Sequence, residues 1–222
     1  MRFCLEVSGD FACFTRPEMK SERVSYEVMT PSACRAVFES ILWKPAIRWV
    51  PESIAVLRPI RWTTLRRNEV GSKISSAAVN SAMRKGSGAL GMYVEEDRQQ
   101  RASLLLRDVS YRITARFEMT ARAGQQDSPQ KFSEMFERRA RKGQCINQPY
   151  LGCREFACDF SLYEDSDKKD VVDELRGDRM LGWMLYDMDF HHADSPTPRL
   201  FLAKLQDGLM RIPAPDSSEV KG

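Results

Sequence analysis

Two histidines in 222 residues leave little room for imidazole chemistry. There is no GxSxG elbow for a serine nucleophile and no GxxxxGK[ST] loop to cradle a nucleotide phosphate. The six cysteines, Cys4, Cys13, Cys34, Cys145, Cys153 and Cys158, form no CxxC pair, and Cys153 and Cys158 have the wrong spacing for a zinc knuckle. No apolar run approaches the ~18 residues of a membrane span, and MRFCLEVSGD lacks the apolar stretch of a signal peptide. These absences argue against a triad hydrolase, a P-loop nucleotidase, a disulfide scaffold and a membrane protein. The expectation is a cytoplasmic protein with reduced thiols and no cofactor.

What is present is ordinary hydrophobic content, 42%, enough for a packed core, and an uneven distribution of charge. The net charge of +3 hides 26 basic against 17 acidic residues before position 159, net +9, and 8 against 14 from there on, net −6. The basic part suits a polyanion, and would also permit duplex DNA to bind. Two solvated surfaces of opposite sign would give the same count.

Along the chain, Phe3, Leu5 and Val7 alternate with Arg2, Cys4 and Glu6 as in a half-buried strand. Thr30 is a helix N-cap with Pro31 at the first helical position, and Cys34, Val37, Phe38 and Ile41 line one helical face. Pro45 stops that helix. Ile47 to Leu57 reads as a second strand, bent near Pro51. Residues 58–101 lack strong periodicity, carry many cations and read as a long basic insertion. In VSYRITARFEMT, Tyr111, Ile113, Ala115, Phe117 and Met119 form one face of a strand, with Arg112 and Arg116 on the other. A second helix follows, with Asp127 or Ser128 as N-cap, Pro129 at N1, a seam of Phe132, Met135, Phe136 and Ala140, and Gly143 past its end. A further strand lies in CREFACDFSLYE. The predicted class is α+β, with the βαββαβ order of a ferredoxin-like, RRM-like domain over 1–163. An acidic linker leads to a small C-terminal antiparallel sheet within 164–213, turning at Asp207-Gly208, and 214–222 reads as a disordered tail.

Several motifs compete with plainer readings. GSGALG at 86–91 matches GxGxxG, but no strand precedes it and no crossover helix follows, so it reads as a loop. In DMDFHHAD, Asp187 and Asp189 share a strand face with His191, His192 and Asp194 close by, a set able to hold a metal or simply to solvate a turn. The basic residues are the more coherent set: Arg66, Arg67 and Lys73 in the insertion, Arg112 and Arg116, and the helix cations would together line a phosphate-binding groove. Trp43, Trp49 and Tyr111 read as core. Trp62, among arginines, reads as exposed.

The stretches GDFACFTRPEMKSERVSYEVMTPSA, ESILWKPAIRWV, VLRPI, RRNEV, RRARKGQC, QPYLGCREF and LGWMLYDMDF, in that order, resemble the Cas-five family of type I-C CRISPR systems, within the RAMP superfamily. The resemblance covers the chain from near its N-terminus to about Pro213. It implies a ferredoxin-like domain with a C-terminal antiparallel sheet. It also implies a subunit that cuts CRISPR repeat RNA below its stem-loop without metal, and then stays on the 5′ handle within the Cascade complex. The ribose 2′-hydroxyl serves as internal nucleophile and leaves a cyclic phosphate.

The family's proposed catalytic set is a tyrosine just before the tryptophan of WKP, then an adjacent lysine and histidine at the start of the second helix. Here those positions are Leu42, Lys131 and Phe132. Lys131 can stabilise phosphorane charge and donate a proton to the leaving oxygen. With a pKa near ~10.4, unperturbed, it is a poor base at neutral pH, and Leu42 and Phe132 transfer no proton. The enzyme would then be slower, or Tyr26, Tyr111 or another group would serve instead, with RNA binding promoting in-line positioning of the 2′-oxygen. Expected RNA contacts are Arg58, Arg66, Arg67, Lys73, Arg138, Arg139, Arg141 and Lys142. A non-catalytic handle-binding and assembly subunit is the alternative, and a metal nuclease centred on Asp187 and Asp189 ranks third.

Overall fold

A computed structural model describes residues 1–19, 21–88, 90–164, 172–190 and 196–222. Its elements are β1 (Arg2–Ala12), α1 (Pro31–Ile41), β2 (Ile47–Val56), β3 (Arg61–Val70), α2 (Ser76–Lys85), β4 (Arg98–Met119), α3 (Pro129–Arg141), β5 (Asp159–Leu162), β6 (Asp178–Asp189), β7 (Thr197–Gln206) and β8 (Leu209–Arg211). The architecture is mixed α/β: one large antiparallel sheet and three helices.

The 22-residue β4 is the spine of the sheet. Its second half alternates Val109, Tyr111, Ile113 and Ala115 on a buried face, and the neighbouring strands match that pattern. β1 pairs on one side, Phe3 opposite Ala115, Leu5 opposite Ile113 and Val7 opposite Tyr111. β2 pairs on the other, Trp49 opposite Phe117 and Ile54 opposite Ile113, with a register shift at Pro51/Ser53 where the missing proline N–H breaks the ladder. β5 adds beyond β1, giving the order β5-β1-β4-β2.

The C-terminal strands do not form a sheet of their own. β8 pairs with β2 through Ser53–Arg211, Ile54–Met210 and Ala55–Leu209, so β8, β7 and β6 continue the same eight-stranded sheet. The Asp207-Gly208 turn falls where the sequence puts it, with Asp207 at φ 49. The tail is not free chain: Val220 is buried, Leu200 and Lys221 exchange backbone hydrogen bonds of 2.7 and 2.8 Å, and Arg199 Nη2 donates to the Pro215 carbonyl. These pairings satisfy an edge of β7 that would otherwise face water.

Both amphipathic helices begin as their caps require. Thr30 Oγ1 accepts from Ala33 N at 3.3 Å, Ser128 Oγ accepts from Lys131 N at 3.2 Å, and each is followed by proline at the first helical position. Their apolar seams meet the sheet in one aromatic cluster. Trp49 lies 4.7 Å from Phe136 and 4.9 Å from Phe38 between ring centres, and Phe3 lies 4.9 Å from Phe136. Phe132 packs edge-on against Phe117.

The 58–101 segment is more regular than its sequence suggests. β3 pairs with the first half of β4 over ten residue pairs, Arg61 opposite Arg107 through Val70 opposite Arg98, as an arm off the main sheet. Nearly all of β3 is exposed or half-buried, so no apolar alternation marks it. α2 at its tip buries no residue, and the first glycine of GSGALG, Gly86, ends it in the left-handed conformation at φ 61. That glycine is a helix stop, not the turn of a dinucleotide site. Ala89 of the motif lies outside the described residues.

Candidate nucleic-acid interface

The end of α1 and the start of α3 are brought together at one end of β4. The chain leaves α1 at Leu42, whose N–H still bonds Phe38 O at 3.0 Å while its own backbone is extended. Trp49 Nε1 donates to the Leu42 carbonyl at 2.8 Å, and Arg139 Nη1, reaching from α3, donates to the Ile41 carbonyl at 2.9 Å. Thr120 Oγ1 donates to Pro45 O and Thr120 N to Ala46 O. These bonds fix the WKP turn beside the loop that leads into α3 and leave Trp43 and Lys44 exposed.

Lys131 stands on the first turn of α3, its side chain 47% exposed. Its ammonium donates to Asp127 Oδ1 at 3.0 Å and to the Gln126 carbonyl at 3.4 Å. Asp127 also accepts from Gly124 N, which lowers its pKa most, followed by the Lys131 ammonium, with the field of Lys44 adding to both. Two cations and one ionised carboxylate therefore share this corner. Ser128, not Asp127, is the N-cap, and Asp127 is freed to hold the Lys131 ammonium in place.

The two other aligned positions cannot touch a substrate. Leu42 is fully buried and Phe132 is 2% exposed, both packed in the core. Neither tyrosine replaces them. Tyr26 is buried with its hydroxyl accepting from Leu185 N at 3.1 Å, and burial raises its pKa. Tyr111 is a core residue under the sheet, its phenol also pushed up by burial.

The cations expected to share one groove divide into two groups. Arg138 and Lys142 are exposed on α3, Arg141 is tied to Glu164 at 3.0 Å and Glu137 at 3.4 Å, and Arg139 is spent on the α1 carbonyl. Arg66 and Lys73 are exposed on the arm, and Arg58 just before it. From Ala102, opposite Arg66, to Thr120 beside the WKP turn is roughly 60 Å of strand path, which sets the arm cations apart from the Lys131 corner along β4. Arg67 turns inward, ion-paired with Glu155 and with Glu69 at 3.2 Å, while Arg23 and Arg101 also meet this acidic pair. Arg67 and Arg101 face each other across the strands, and Glu69 relieves that like-charge contact. On the open sheet face Arg112 is held by Glu6 at 2.8 Å, and Arg116 by Glu52 and Glu118.

The acidic motif is likewise committed. Both Asp187 oxygens accept from Arg35, at 3.1 and 2.9 Å, and Arg35 also pairs with Glu39 at 2.9 Å. Among the described residues no group of three His, Cys, Asp or Glu side chains is placed to hold a metal ion, and His191, His192 and Asp194 lie outside them. No helix among the described residues is long and apolar enough to cross a membrane.

Sequence reasoning missed Lys44, Asp127 and the exposure of Trp43, which is 54% accessible. The signal for the tryptophan was local: a residue between a helix end and Lys-Pro is carried out of the helical seam. Trp62 is 39% exposed, as its arginine-rich surroundings suggest.

An antiparallel sheet is backed by two helices, with cations at both ends of its spine. The family model "CRISPR-associated protein (Cas_Cas5)" matches residues 3–213, and the chain belongs to that family. It is 50% identical over 223 residues to the CRISPR pre-crRNA endoribonuclease Cas5d of Mannheimia succiniciproducens, covering 99% of this chain and 98% of that one. A protein of the same name from Thermus thermophilus is 38% identical, covering 99% and 94%. Among solved structures, one named "Crystal Structure of CRISPR-associated Protein" superposes with a TM-score of 0.70 at 20% identity, covering 100% of this chain and 97% of that one. The functionally uncharacterized protein SMU1763c from Streptococcus mutans does so with a TM-score of 0.69 at 19%, with the same coverage. At those identities the likeness is one of fold.

Proposed function

We propose that this protein is a pre-crRNA endoribonuclease that cuts CRISPR repeat RNA below its stem-loop and stays on the 5′ handle as a subunit of Cascade. The observation that carries the reading is the 50% identity, end to end, with a protein that bears this activity in its name. The order β5-β1-β4-β2 with α1 and α3 on one face supports the ferredoxin-like description of 1–163, with 164–213 extending it.

In this reading the RNA lies across the WKP turn and the start of α3. The 2′-hydroxyl gives its proton to solvent water as its oxygen attacks the adjacent phosphorus, the bond to the 5′-oxygen breaks, and a cyclic phosphate remains. Lys131 and Lys44 face the charge that gathers on the phosphorane, and Lys131 is the donor to the departing oxygen. Asp127 holds the lysine in a fixed direction, a positioning task that leaves one ammonium proton free for substrate. Metal and cofactor have no part in this scheme. Arg138 and Lys142, with Arg58, Arg66 and Lys73, are the backbone contacts, and they would hold duplex DNA by the same charge.

A specific observation favours a second reading, a handle-binding subunit that does not cut. Leu42 and Phe132 are not only chemically inert but buried. Incubation of the protein with 5′-labelled repeat RNA in excess EDTA separates the two. Cleavage at one position, reduced ~100-fold or more in Lys131→Ala without a change in melting temperature, is the expected result. Tight binding with intact RNA would replace the nuclease by the binding subunit.

A further inference from the structure

A groove of about 640 Å³ opens between α1 and the chain that follows α3, directly beside the WKP turn. Its walls come from distant parts of the sequence. Trp43 stands at the end of α1, and Ile146, Asn147, Gln148, Tyr150 and Arg154 come from the return segment. From α1 come Ala36, Ser40 and Glu39, whose carboxylate is paired with Arg35 at 2.9 Å.

The groove is built, not incidental. Ile146 N donates to the Ser40 carbonyl at 2.6 Å, which ties the return segment to α1, and Cys13 N donates to the Leu151 carbonyl at 3.0 Å, which ties it to the end of β1. Gly152 sits at φ +85, and a Cβ there would run into the Cys13 carbonyl, so the close approach depends on glycine. Held this way, Trp43 remains 54% exposed, Ile146 52% and Tyr150 38%. A protein that fixes two aromatic residues half in water has left ring surface for something planar.

The polar groups narrow the occupant. Asn147 and Gln148 are uncharged and exposed, and each amide carries both a donor and an acceptor. Gln148 spends Nε2 on the Cys158 carbonyl at 3.1 Å, which leaves its Oε1 to accept. Arg154 is the exposed cation at the rim. Phosphate recognition needs cations and no acceptors. A nucleobase offers two ring faces to stack and an edge of alternating donors and acceptors, and it is the ligand these groups match. Lys44 follows Trp43 directly, so a base in the groove would have its phosphate at the lysine corner.

We infer that the groove is a nucleobase site that takes one unpaired base of the RNA next to the phosphate facing Lys131, stacked on Trp43 and Tyr150 and recognised along its edge by Asn147 and Gln148. The inference rests on the RNA reading above and adds to it where sequence preference arises.

The test is an abasic scan of repeat RNA, substituting each unpaired position near the cleavage point in turn, with binding measured for the protein and for Trp43→Ala. One abasic position should weaken binding to the unaltered protein by about 5- to 150-fold, the range expected for one stacked base. Trp43→Ala should cost a similar factor with intact RNA, lose nothing more from that abasic position, and recover most of its binding as Trp43→Phe. Asn147→Ala with Gln148→Ala should leave binding tight but flatten the preference for the base at that position. If Trp43→Ala binds every RNA as the unaltered protein does, or its loss adds in full to that of every abasic site, there is no base site. A Trp43→Ala protein that binds RNA normally but no longer joins its CRISPR partner proteins would make the groove a protein contact and overturn the inference. Failure of the unaltered protein to bind repeat RNA at all would bring down the RNA reading, and this site with it. Tight binding with no abasic sensitivity would remove the site alone.

Discussion

The two halves of β4 meet at Asp108, whose backbone turns left-handed at φ 53, and have opposite surroundings. From Val109 to Met119 it is flanked by β1 and β2, covered by α1 and α3, and its inward residues pack in the aromatic core. From Arg98 to Arg107 it has β3 as partner, carries cations, and buries chiefly Ser103, Leu105 and Leu106 near the junction. Backbone pairing runs without a break in the arm, and in the core half it is interrupted at Pro51/Ser53. What differs is whether a second layer covers the strand, and that decides where stability resides and which side chains remain available to a ligand.

The largest expected contrast is between core and arm truncations. Phe136→Ala empties space between Phe3, Phe38 and Trp49 and should cost about 3–5 kcal/mol, whereas Leu65→Ala, 40% exposed on the arm, should cost less than about 1 kcal/mol. Denaturant unfolding monitored by tryptophan emission measures both, and equal losses would mean that the arm is part of the cooperative core. Next comes the tether of the arm. Arg67→Met removes the contacts to Glu155 and Glu69 and should cost about 1 kcal/mol globally, while amide exchange in 61–70 speeds up and that in 109–119 does not. Uniform acceleration would instead place the two halves in a single unfolding unit.

A smaller effect is expected from the arm's free cations. Arg66→Ala with Lys73→Ala should leave stability within about 0.5 kcal/mol and lower the salt slope for single-stranded RNA by about 1.4 if both meet phosphates. An unchanged slope would remove the arm from the RNA path. Smallest of all is a pH effect on the open face of the core half. Hydrogen bonds from Arg48, then Arg116, depress the pKa of Glu118 below its usual 4.5. A depressed carboxylate stabilises the fold above the unfolded pKa and loses that contribution as pH falls through the folded value. The unfolding midpoint should therefore drop slightly more between pH 5 and 3 than in Glu118→Gln. The difference is small because Glu118 is 35% and Arg48 61% exposed, so solvent screens the pair.

The same contrast explains what could be read from the sequence. The core half of β4, β1, α1 and α3 each bury one face, so alternation or helical spacing marked them, and Pro31 and Pro129 with their caps fixed where the helices begin. The arm buries little on either face and left no pattern. Its Arg67 looked free because its acidic partner, Glu155, lies 88 residues away. The sharing of one sheet by β2 and β8 was equally hidden, since pairing of Ile54 with Met210 is a contact that no local rule contains. At the candidate site Lys131 was legible only through the family resemblance, while its place on the first turn of α3 followed from the capped proline. The burial of Leu42 and Phe132 was legible in part, because Phe132 belongs to the helical seam. The groove was not, because Trp43 and Tyr150 line one cavity only once the segment after α3 lies along α1.

The position of β4 in the chain also sets an order of events during synthesis. β1 and β2 do not pair with each other, and each finds its partner only in residues that follow Arg98. A ribosome adding ~5–20 residues per second needs roughly 5–20 s to pass from the end of β1 to the end of β4. Through that interval two apolar strands wait with open edges, which makes the nascent chain the stage at which this protein is most exposed to aggregation and to chaperone capture. The β3–β4 pair, joined through α2, is the first long pairing of the sheet able to form, and it lays down the template on which the rest of the sheet assembles.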